Sequence, residues 1–118
     1  MRKPSFLFLI SAGIFSVISA QAALARPDIY TSVFEYVVSV DVCLKRAEQA
    51  LIDAGFTENI EIDDINEKLA SIDGEMPSDS VAASIVCDQS LGVSALSVSG
   101  LDGDLTYEKY SELYDAEW

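Results

Sequence analysis

Histidine is absent from this chain of 118 residues, and bases are scarce, with 7 Lys and Arg against 20 Asp and Glu and a formal charge of −13. Without histidine there is no imidazole acid–base catalysis, no histidine-containing triad and no ordinary zinc enzyme site. Without clustered Lys and Arg the chain has no means of displacing counterions from a phosphate backbone, which argues against nucleic acid as a partner. Cysteine is limited to Cys43 and Cys87, so no C-x-x-C redox pair exists. Low hydrophobicity is not among the deficits. Half the residues are hydrophobic, which separates the chain from acidic disordered sequences.

That hydrophobicity is unevenly placed. Arg2 and Lys3 open a stretch that carries no further charge until Arg26. Within it, Phe6 to Ile10 form an apolar core that continues through Ile14, Phe15, Val17 and Ile18, and small residues lead to Ala23-Leu24-Ala25. A basic start, a short apolar core and an A-x-A ending are the parts of a secretory signal peptide. Cleavage is expected after Ala25, with Ala20-Gln21-Ala22 as a second site. The uncharged run is long enough to cross a bilayer, but its second half is mostly Ser, Ala and Gln. A lipid anchor needs a cysteine immediately after the cleavage site, where Arg26 stands instead, and Cys43 lies too far downstream. The expectation is residues 1–25 as signal and 26–118 as one small domain, periplasmic or secreted, with no membrane contact after processing.

Processing changes the composition. Arg2 and Lys3 leave with the signal while all the acids stay, so the charge becomes −15 on 93 residues. Phe6, Phe8 and Phe15 go as well, leaving Phe34 and Phe56. A domain this small is marginal on apolar burial alone. In an oxidising compartment an even cysteine count reads as a staple. A Cys43–Cys87 bridge, 44 positions apart, is worth roughly 4 kcal/mol in the chain-entropy model.

Periodicity then divides the domain. Residues 30–40 alternate with β-branched and aromatic side chains, and the spacing predicts a strand with Phe34, Tyr36, Val38 and Val40 on one apolar face. A helix is expected over 42–54, capped by Asp41, with Cys43, Leu44, Ala47, Ala50, Leu51 and Ala54 as its apolar stripe and Gly55 as its stop. Residues 57–67 mix acids with Ile60, Ile62 and Ile65 and fit either a short strand or an irregular edge. Strands are expected over 68–75, 80–88 and 93–99, the last two as an antiparallel hairpin, with a loop at Pro77. A final helix is expected over 106–115.

The order β-α-β-β-β-α, with three to four antiparallel strands and two helices, predicts an α+β two-layer sandwich. It resembles a ferredoxin-like split βαβ arrangement lacking its last strand. The likeness is one of topology, and no motif accompanies it.

Chemistry-bearing patterns are few. The acids between Glu58 and Glu67 lack the alternation around a glycine that a calcium loop needs, and Asp102-Gly103-Asp104 begins one but places Tyr107 and Leu113 where its glycine and final Glu belong. No metal site or cofactor is expected. Tyr107, Tyr110 and Tyr114 fall at i, i+3, i+7, with Trp118 beyond them. This stripe either docks the last helix onto the sheet or offers a partner surface, since Tyr and Trp are enriched in recognition hot spots. The strong negative charge favours a basic protein partner. The expectation is an exported acidic binding or accessory module without catalytic activity. The alternatives are a carboxylate-based hydrolase and a weak divalent-cation or ligand carrier.

Overall fold

The computed structural model describes residues 26–35, 38–78 and 80–118. The expected signal segment, and Tyr36 and Val37 of the expected first strand, lie outside the described residues. The elements are β1 (Asp28–Glu35), α1 (Val40–Asp53), β2 (Glu58–Asn66), β3 (Leu69–Glu75), β4 (Val81–Asp88), β5 (Val93–Gly100) and α2 (Gly103–Asp115). The fold is α+β, with one antiparallel sheet of five strands in the order β1-β5-β4-β3-β2.

The sheet differs from the sequence expectation in two features. The acidic segment after Phe56 is a full strand, β2, which raises the count from three or four strands to five. Its acids sit on an edge, where water solvates them, so they do not oppose strand formation. Strand order also departs from a ferredoxin-like interleaving. β2 to β5 form an uninterrupted meander, and β1 adds beside β5, so α1 connects strands at opposite edges of the sheet.

The start of α1 is also displaced. Val40 fits both the period of the preceding strand and the apolar stripe of the helix, and the helix takes it. Ser39, not Asp41, is the cap, its Oγ accepting from Val42 N at 3.3 Å. The Val40 N–H donates to Gln89 Oε1 at 3.2 Å, which satisfies a first-turn donor that has no intrahelical partner. Asp41 lies in the first turn, where a carboxylate complements the helix dipole. At the other end Gly55 adopts φ +96°, Gly55 N donates to Ile52 O at 3.0 Å and Phe56 N to Leu51 O at 2.9 Å. This paired closure turns the chain so that Phe56 is fully buried.

Both helices lie on the same face of the sheet, α1 over β3 and β4 and α2 over β5 and β1. Small residues allow the approach. Ala47 and Ala50 of α1 are buried in the same core as Ala70, Ala83 and Cys87 of the sheet. The Cys43–Cys87 disulfide joins α1 to β4 across a Cα–Cα distance of 6.1 Å, and both residues are buried. A buried disulfide is compatible with a periplasmic or extracellular location. Under α2, Leu113 and Thr106 are buried, and a Cβ at Gly100 would collide with Thr106 Oγ1 and lie 2.9 Å from Ser80 O. No described helix is long and apolar enough to cross a membrane.

Candidate functional site

α2 begins three residues earlier than its periodicity predicts, because Asp102 caps it: Oδ1 accepts from Leu105 N at 3.2 Å, and Thr106 Oγ1 donates to Asp102 O at 2.6 Å. Asp104 then sits in the first turn. Capping and dipole complementarity thus account for both acids of the Asp102-Gly103-Asp104 sequence.

From this start the helix aims its tyrosines at β1. Along β1 the residues Tyr30, Ser32 and Phe34 lie opposite Val98, Leu96 and Ser94 in register, all buried, and so occupy the helix-covered face. Tyr30 stacks on Tyr110, with centroids 5.5 Å apart, and meets Tyr107 edge-on at 5.4 Å. Phe34 meets Tyr114 at 5.1 Å and Trp118 at 5.2 Å, both edge-on. The Tyr110 and Ser32 hydroxyls share a hydrogen bond, and Trp118 Nε1 donates to Leu113 O at 2.9 Å. Buried indole and phenol groups need such partners.

The four expected surface residues therefore form one aromatic group but are unequally exposed. Tyr110 and Trp118 are half-buried and polar-bonded, whereas Tyr107 and Tyr114 are 56% and 50% exposed. With Ser111 and Asp115, the three tyrosines line a depression of about 440 Å³. Lys109, on the same helix, is held by Glu112 at 3.1 Å. The sequence reading missed Tyr30 and Ser32 as members of this group. Stepping back by two from Phe34 along the strand would have found them.

Charge is partitioned by element. The five strands carry nine carboxylates, four of them in β2, and neither Lys nor Arg. The cations of the described residues lie elsewhere: Arg26 ahead of β1, Lys45 and Arg46 on α1, Lys68 in the β2–β3 turn and Lys109 on α2. On the sheet face away from the helices, Glu58 stands opposite Glu75 and Glu61 opposite Asp73. Asn59 Nδ2 donates to Glu75 Oε2 at 2.9 Å. Among the described residues no group of three or more Cys, Asp or Glu is arranged to hold a metal. Glu61, Asp73 and Glu75 rim a depression of about 330 Å³ floored by Ser84 and Ser97.

Comparison with protein-family models, with curated proteins and with solved structures returns no significant match.

Proposed function

We propose that this protein is a small exported binding module, without catalytic chemistry of its own, that takes a basic protein partner on the aromatic surface of α2 and β1. The observation that carries this is the pairing of two half-exposed tyrosine rings, Tyr107 and Tyr114, with a sheet that bears carboxylates and no cation. Tyrosine faces attract Lys and Arg through the ring quadrupole, and Asp115 lies in the same depression to meet the charge. Tyr30, Tyr110 and Phe34 pack against these rings and hold them, so little side-chain freedom is lost on binding. Loss of the leader would take the formal charge from −13 to −15, which steers basic proteins toward the domain and repels nucleic acid and anionic lipid surfaces. The signal-like leader and the disulfide together support a periplasmic or secreted protein.

The test is affinity capture from the protein's own exported compartment, comparing the wild-type chain with a Tyr107→Ser, Tyr114→Ser variant. The captured protein should be basic, should be lost with the variant, and should elute at about 0.5 M salt, where screening shortens electrostatic attraction to a few ångströms. Retention by the variant, or an acidic partner, would contradict the proposal.

A further inference from the structure

The two edges of the sheet are built differently. On β2 the pairing with β3 shifts register between Glu58 and Glu61 and again between Asp64 and Asn66, and Asn59 adopts φ +51°. Four carboxylates line the strand. Irregularity and charge are the devices by which an edge is kept from pairing with another chain.

β1 has no irregularity, and its charges are confined to its two ends. Its eight residues pair with β5 without a shift, from Asp28 opposite Gly100 to Glu35 opposite Val93. Between its terminal acids lie only Ile29, Tyr30, Thr31, Ser32, Val33 and Phe34, with no proline and mostly strand-favouring side chains. Among the described residues no segment other than β5 pairs with it. Ile29 and Val33 are 62% and 70% exposed on the face away from the helices, while Tyr107 and Tyr114 stand on the helix side.

We infer that the basic partner docks as an added strand on the outer edge of β1, in a segment that alternates basic and aliphatic residues. This inference rests on the proposed preference for a basic partner. Backbone pairing to β1 supplies affinity, and the alternating side chains supply selectivity. One set points to the helix side, where Tyr107, Tyr114 and Asp115 receive Lys or Arg. The other runs along Ile29 and Val33 and is aliphatic. A second copy of this chain does not fit that description. Its strands contain no Lys or Arg, so β1 against β1 leaves the tyrosines and Asp115 without a cation.

Amide hydrogen exchange of the exported, isotope-labelled protein tests this with four octapeptides. The first alternates lysine and valine. Two more are the same peptide N-methylated at the lysines or at the valines, so that in each one edge of the peptide cannot donate. The fourth alternates glutamate and valine. The β1 amides that point away from β5 should exchange fast in the free protein and slow when the lysine–valine peptide is added. One N-methylated form should bind at least about tenfold more weakly. Equal binding of both N-methylated forms overturns strand addition and leaves the basic-partner proposal standing. Equal binding of the glutamate peptide overturns the basic preference and leaves strand addition standing. Failure of the lysine–valine peptide to bind, slow exchange of those amides in the free protein, or a dimer in sedimentation that Val33→Lys dissociates would each overturn the inference.

Discussion

Ser32 on β1 and Tyr110 on α2, 78 positions apart, are joined through their hydroxyls. The bond sits inside an aromatic seam, with Tyr30 and Phe34 flanking Ser32 along the strand and Tyr107 and Tyr114 flanking Tyr110 along the helix. It ties the last helix to the edge strand at the middle of the proposed binding surface.

Removing one partner of that bond separates docking from display. Tyr110→Phe should cost about 0.5–1.5 kcal/mol in urea denaturation, the usual net worth of a part-buried hydrogen bond. Tyr107→Ser, at a half-exposed ring, should cost less than about 1 kcal/mol while reducing partner capture. Equal stability losses would mean that both rings serve only to dock the helix.

The Cys43–Cys87 bridge should be visible in mass and in stability. Intact-mass analysis of exported protein should show loss of residues 1–25 and of two hydrogens. Replacing both cysteines with alanine should lower stability by up to about 4 kcal/mol. An unchanged melting temperature would mean that the buried bridge contributes nothing.

Gly100 meets Thr106 Oγ1 and Ser80 O where a side chain would stand. Gly100→Ala should cost about 1–3 kcal/mol by overpacking, read as a lowered urea midpoint. A neutral outcome would show that α2 is free to move away from β5.

Glu61 faces Asp73 across β2 and β3 with like charge. Glu61→Lys should therefore stabilise the protein by about 0.2–1 kcal/mol, more at low salt than at high. Destabilisation would indicate that the carboxylate pair is compensated in solution.

Much of the fold was legible in the sequence because its signals are local. The period of Cys43, Leu44, Ala47 and Leu51 fixes the face of α1, and Gly55 with Phe56 closes it. The alternation of Val81, Ala83, Ile85 and Cys87 with Ala82, Ser84, Val86 and Asp88 sets the buried face of β4, and the structure has Cys87 in the expected disulfide. What escaped depends on distance. β2 is a strand through its pairing with β3, despite a composition that local propensity disfavours. Ser39 outcompetes Asp41 as cap because Val40 is drawn into the core and Gln89, far along the chain, accepts its N–H. The aromatic stripe was legible on α2, and the period of β1 puts Tyr30 on the face of Phe34, but the meeting of the two groups rests on β1 lying beside β5, which no periodicity in either segment encodes.

Trp118 is the chain's single tryptophan and packs against Phe34 at the end of β1, so it reports on the proposed surface. The most direct measurement is its fluorescence during titration of the exported protein with the lysine–valine octapeptide at low and high salt. A saturable change that weakens as salt rises, and that the Tyr107→Ser, Tyr114→Ser variant loses, is the expected result. No change, or a change indifferent to both salt and the tyrosines, would contradict a basic partner at this surface.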